Sequence, residues 1–234
     1  MKLNNLTIIY NENCFYKFIE TVKSMVKTAS ISDYIDIDIS KLKANKKHKN
    51  LIPIKILDNL IQGTFEIQGL DVKFISKNKK TIIDYRDFNL ELKKLFLLHC
   101  YIKYLYIDTN LLIIDKPETF LPPIAQIKFT RLIAMMVNAG TRIFILTSSD
   151  FILRELNNLI MLSNDFSDKE RLMKKYKYKS EQIIEKENIN VYSMRDREFI
   201  PVKIDKYGIK IKFLDKFLTN INQISDSIAS SVDL

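Results

Sequence analysis

The chain of 234 residues is 47% hydrophobic and 28% charged, enough apolar content for one sizeable core and too much to leave the chain disordered throughout. Its two cysteines, Cys14 and Cys100, and two histidines, His48 and His99, exclude a disulfide scaffold and a Cys/His metal cluster. The net charge of +9 favours polyanionic surfaces in general, while only four glycines, where an average chain of this length has roughly four times as many, exclude a glycine-rich phosphate cradle.

Asn5 to Tyr10 (NLTIIY) reads as a strand, and Phe15 to Thr28 as a helix with apolar residues at Phe15, Phe18, Ile19, Val22, Met25 and Val26. A strand, a short loop ending in Lys17 and a helix is the layout of a phosphate-binding loop, G-x-x-x-x-G-K-[ST], here without the glycines. The opening MKLNNLTIIY lacks the long apolar core and small-residue cleavage site of a signal peptide. Ser32 to Ser40 (SDYIDIDIS) alternates as a half-buried strand does, and a basic loop, KLKANKKHKN, follows at 41–50. A short helix is expected at Ile54 to Ile61. Then come the β-rich stretches TFEIQ, DVKFIS and TIIDY, with Gly63 and Gly69 as turn signals.

A helical period returns between Phe88 and Tyr106. Its apolar stretch Leu95 to Ile107 is too short to span a bilayer and carries His99 and Lys103, so a soluble cytoplasmic protein is expected. Asn110 to Asp115 (NLLIID) is a continuous apolar run of buried parallel-strand type. After Pro117, Pro122 and Pro123, a helix is expected at Ile124 to Asn138, ended by Gly140. Thr141 to Thr147 reads as another buried strand, and Ser149 or Asp150 can cap the helix FILRELNNLIML. This alternation implies right-handed crossovers and a parallel sheet covered by helices. Asp165 to Lys179 is polar and basic; Asn190 to Lys203 and Ile209 to Phe213 read as short strands, and Lys216 to Ala229 as a terminal helix.

The run 111–160, LLIIDKPETFLPPIAQIKFTRLIAMMVNAGTRIFILTSSDFILRELNNLI, resembles the second half of the ABC-type ATPase domains of the SMC-like and OLD-like group, AAA-family relatives common in bacterial phage-defence systems. There it reads L-L-I-I-D-E-P-E, L-H-P, helix, strand, T-H-S-D-Y, helix. The resemblance implies an α/β, P-loop NTPase-like fold (an ABC-ATPase head), mostly parallel sheet flanked by helices. It implies one domain over 1–234, with a small β-rich insertion at about 32–86.

At the catalytic positions the chain departs from that pattern. The family's loop glycines fall on Asn11 and Tyr16, and an aromatic residue at Tyr16 is a poor substitute where the backbone must turn with positive φ. Lys17 is kept. Phe18, at the Ser/Thr position, has no oxygen for Mg²⁺. Asp115 matches the residue that holds the metal's water shell, so Asn11, Lys17 and Asp115 are what remains of a nucleotide site. The glutamate that polarises attacking water is replaced by Lys116, which cannot accept a proton while charged. Glu118 matches a glutamate that the family also keeps, so it is no evidence of rescue. The γ-phosphate-sensing histidine aligns with Ser148, and the signature segment with 83–87 (IDYRD), where Asp84 and Asp87 repel phosphate.

The reading is therefore a pseudo-ATPase with a degenerate Walker A motif and neither cofactor nor metal. It would act as an interaction or regulatory subunit, a homodimer or a heterodimer with an active ATPase relative. Two alternatives stand beside it: an ATPase-like enzyme with residual binding of ATP and Mg, and a nucleic-acid binder. For the latter, the lysines and tyrosines of Lys174, Lys175, Tyr176, Lys177, Tyr178 and Lys179 interleave as in grooves that hold single strands, although a solvated helix face has the same composition. The aromatic residues Phe96, Tyr101, Tyr104 and Tyr106 read as core or interface packing. Cys14, ahead of a helix, could ionise more readily than a free thiol.

Overall fold

A computed structural model describes residues 6–10, 28–31, 52–68, 71–105, 111–195, 198–210 and 212–232. Its centre is a six-stranded sheet of β1 (Leu6–Tyr10), β2 (Thr28–Ile31), β6 (Leu111–Asp115), β7 (Ile143–Thr147), β8 (Ile189–Arg195) and β9 (Glu198–Pro201), in the order β2-β6-β7-β1-β8-β9. Every neighbouring pair is parallel except β8 and β9. β1 therefore lies between β7 and β8, with Tyr10 beside Thr147 and Ser193.

Period-two alternation divides the apolar strands between two buried faces. Leu6, Ile8, Leu112, Ile114, Ile143 and Ile145 join the main core. Ile9, Leu111, Ile113, Phe144 and Leu146 form a second cluster on the opposite face. The main core is completed by α1 (Ile52–Ile61), α2 (Leu90–Cys100), α3 (Pro123–Asn138) and α4 (Asp150–Met161). Caps set where these helices begin and end. Ser149 Oγ accepts from Ile152 N at 3.1 Å and starts α4. At the end of α3, Gly140 has φ +95, and Thr141 N donates back to Met136 O at 3.0 Å, closing the helix with a left-handed residue.

Between α1 and α2 the chain forms an antiparallel sheet of β3 (Gly63–Gln68), β4 (Asp71–Ser76) and β5 (Ile82–Asp84). This is the expected β-rich appendage, and a Cβ on Gly63 would stand 2.4 Å from the Phe74 ring. Its apolar face packs Phe65, Val72 and Phe74 against Phe88, Phe96 and Cys100. His99 is buried against the Phe65 ring, with Asp58 3.9 Å away. Burial pushes the His99 pKa down to about 4 and the Cys100 thiol up to about 12, so both are neutral at pH 7. Phe96 and Tyr101 are core residues, as expected; Tyr106 lies outside the described residues, as does Cys14.

Two expectations are corrected. Thr28 does not end a helix; it opens β2, whose partner β6 is more than 80 residues away in the chain. Of the expected strand at 209–213, only Ile209 joins a ladder among the described residues, in β11 (Gly208–Ile209) against β10 (Ile204–Asp205), and Phe213 already belongs to α6 (Lys212–Val232). The expected helix at 15–27 and strand at 32–40 lie outside the described residues. The polar stretch after α4 forms α5 (Lys169–Tyr176). Among the described residues, no helix is long and apolar enough to cross a membrane.

Candidate functional site: the carboxyl ends of β6 and β7

Ligands of open α/β sheets bind beyond the carboxyl ends of the strands, where the strand order reverses. Here that edge carries Tyr10, Thr147 and Asp115, the ends of adjacent strands β1, β7 and β6. The register sets Asp115 beside Leu146, so the residues that follow each strand meet. Asp115 is half-buried and Ser148 is exposed. The structure thus brings Asp115, Lys116 and Ser148 to one edge. Asn11, Tyr16, Lys17 and Phe18 lie outside the described residues.

The turn after β6 is bound from several sides. Lys116 has φ 46, a left-handed conformation uncommon for a residue with a side chain. Its N–H donates to Leu146 O at 2.9 Å. Its carbonyl accepts from Thr119 N at 3.0 Å and from Thr119 Oγ1 at 2.7 Å. Thr119 Oγ1 in turn accepts from Lys94 Nζ at 3.0 Å, and that ammonium lies 5.3 Å from the Phe120 ring centre. Lys94 is only 3% exposed. α2 therefore places a buried cation against the turn through one hydroxyl.

Glu118 links this turn to the next one. Its Oε2 accepts from Thr147 Oγ1 at 2.7 Å, and its Oε1 accepts from Ser148 N at 2.7 Å and Ser148 Oγ at 2.9 Å. Hydrogen bonds to an ionised carboxylate are short and strong. Thr147 Oγ1 accepts from Ser149 N at 3.0 Å, and Ser149 Oγ donates to Gln126 Oε1 at 2.5 Å. Gln126 Nε2 donates to Leu121 O at 2.7 Å. A continuous chain of bonds thus joins the β6 turn, the β7 turn and the start of α3. It holds Ser148 against a carboxylate rather than leaving it open to solvent alone.

Sequence reasoning missed Lys94 and the engagement of Glu118. Lys94 stands next to the exposed Lys93 in a helical run, and nothing in the spelling separates the two. Glu118 meets Thr147 and Ser148 across 29 and 30 residues of chain, through the register of β6 on β7, which no local signal in the sequence gives.

The basic segment is divided. Lys174, Lys175 and Tyr176 end α5 and are exposed, Lys177 is its left-handed cap at φ 57, and Lys179 is exposed. Tyr178 turns inward. Its hydroxyl donates to Glu155 Oε2 at 3.1 Å, and its ring lies 4.1 Å from the Arg131 guanidinium. Burial and the neighbouring Glu155 carboxylate raise its pKa. The segment 83–87 begins in β5, at one edge of the appendage sheet, where Asp84 pairs with Lys73 at 3.7 Å.

No protein-family model and no curated protein matches the chain. Among solved structures, the SMC head domain from Thermotoga maritima aligns over 80% of this chain and 60% of that one, at 10% identity and a TM-score of 0.39. CbiO1 from Clostridium perfringens, part of the ABC transporter complex CbiONQ, aligns over 86% of this chain and 78% of that one, at 13% identity and a TM-score of 0.36. This chain thus spans about 60% of the SMC head's length. With both TM-scores below 0.5, the α/β fold rests on the strand order and register above: a mostly parallel sheet, flanked by helices, with β1 between parallel neighbours.

Proposed function

We propose that this chain is an ATPase-like domain that does not turn over nucleotide and acts in the cytoplasm as an interaction or regulatory subunit. It would pair with a second copy or with an active relative, in a bacterial phage-defence setting. One observation carries this reading: Glu118, the first carboxylate after the end of β6, is engaged by three donors from Thr147 and Ser148, while Lys116 stands where the resemblance expects the base. A general base must reach the proton it abstracts. Glu118 would have to give up strong bonds to do so, and Lys116 carries a proton already.

The test is a titration of the full chain with ATP, with and without Mg²⁺, following phosphate release and thermal unfolding. The expected result is no release above background and no rise in Tm at millimolar nucleotide. Bound ligand at a hundred times its Kd would add about 2.7 kcal/mol to stability by mass action, a shift that thermal unfolding resolves. Turnover would end the proposal. A Mg²⁺-dependent rise in Tm without turnover would replace it with a domain that retains ATP.

A further inference from the structure

On the side of the molecule formed by the end of α4, α5 and the β10–β11 hairpin lies a groove of about 700 Å³. Met161, Leu162 and Leu172 form its apolar floor, and Phe166, Tyr176 and Tyr207 stand along it. These three rings are 37%, 53% and 60% exposed, unusual for large aromatic side chains gathered at one place. The groove is built rather than accidental. Ile209 N donates to Asn157 Oδ1 at 2.8 Å, and Asn164 Nδ2 donates to Lys206 O at 2.9 Å, which fixes the hairpin on α4. Gly208 has φ +102, and a Cβ there would collide with the Asn157 side chain, so the close approach requires glycine.

Cations accompany the rings. Lys175 Nζ lies 5.1 Å from the Tyr176 ring centre, and Lys206 and Lys210 lie 5.0 and 5.5 Å from that of Tyr207. Two carboxylates are also present: Asp165 lines the groove, and Asp205 pairs with Lys210 at 3.5 Å. The side-chain amide donors of Asn158 and Asn164 are directed at Glu155 and at backbone carbonyls. The groove thus offers π-faces and ammonium groups, whereas those amide donors are engaged.

Exposed aromatic faces flanked by lysines match a ligand made of flat rings joined by phosphates. We propose that this groove binds single-stranded nucleic acid, with bases stacked on Phe166, Tyr176 and Tyr207 and phosphates held by Lys175 and Lys206. Stacking accepts every base, so recognition here is tolerant of sequence. A protein segment would be met by the same cations without partners for them unless it were acidic, and an acidic segment would make no use of three ring faces. The inference is independent of whether the strand-end site holds nucleotide.

The experiment measures fluorescence anisotropy of labelled oligothymidylate, oligouridylate and a duplex of equal length against the full chain. Both single strands are expected to bind more tightly than the duplex, with affinity falling steeply between about 50 and 200 mM salt as counterions are released. Tyr176→Ala and Tyr207→Ala are each expected to weaken single-strand binding about tenfold, within the range measured for loss of one stacked base. Tyr176→Phe and Tyr207→Phe keep the ring and should bind as the wild type does. Because the chain has no tryptophan, its tyrosine emission should be quenched as bases stack, a readout that does not depend on how any variant folds. A preference between oligothymidylate and oligouridylate identifies the nucleic acid and supports the proposal. Absence of single-strand binding at the lowest salt, binding without tyrosine quenching, equal affinity for duplex, or folded alanine variants that bind like the wild type would each overturn it.

Discussion

The turn after β6 and the groove beside α5 are both rich in polar and charged side chains, yet they use them in opposite ways. At the turn, Lys94, Thr119, Glu118, Thr147 and Ser148 direct hydrogen bonds at one another. At the groove, three aromatic rings are exposed, with lysines beside two of them. The strand-end edge is an internally bonded joint, while the rings of Phe166, Tyr176 and Tyr207 stay exposed. Residue identity alone does not separate these cases. What separates them is whether each donor already has an acceptor.

The largest expected effect tests the rigidity of the groove wall. Glu155 is 4% exposed and accepts from Arg131 Nε at 2.5 Å, from Asn158 Nδ2 at 3.1 Å and from Tyr178. Glu155→Ala leaves a guanidinium and two neutral donors without their acceptor. A loss of about 3 kcal/mol is expected, read as a lower urea midpoint at unchanged m-value. A much smaller loss would mean that the wall is not preorganised.

A smaller effect tests the joint itself. Glu118→Gln replaces an acceptor-only carboxylate by an amide that can serve only part of the donor set. It should cost about 2 kcal/mol without any gain of phosphate release. Full stability in this variant would show that the bonds to Thr147 and Ser148 are replaceable by water, which would leave Glu118 free to act. The smallest effect has the opposite sign. Lys116→Gly relieves a left-handed backbone but adds freedom to the unfolded chain, so a net gain of up to about 1 kcal/mol is expected from thermal unfolding. A loss would mean that the Lys116 side chain itself helps to hold the turn.

The parts of the fold legible in the sequence are those with local punctuation. β6 and β7 are uninterrupted apolar runs, α3 lies between Pro123 and Gly140, and Ser149 caps α4, all within a residue or two of expectation. β2 was not legible because TASI is short and half polar, and its strand character comes from Leu111 to Ile114, far along the chain. In the segment 209–213, alternation suggested a strand, but pairing stops at Ile209 and the helical period of α6 takes over at Lys212. At the strand-end site, the residue types could be read in advance. Their hydrogen-bond partners could not, because Glu118 and Thr147 are 29 residues apart and meet only through sheet register. The groove's aromatic wall was half visible, since Tyr176 belongs to the basic run, whereas Tyr207 reaches it only because the hairpin folds back on α4.

Among the described residues, the central sheet finishes on both sides in strands of four residues, β2 and β9, and β9 ends in Pro201, which has no amide hydrogen to offer a neighbouring chain. A short border that ends in proline, as β9 does, gives an incoming strand little to zip onto. Association by extending the sheet from one molecule to the next is therefore disfavoured at the β9 border, which also guards against fibrous stacking there.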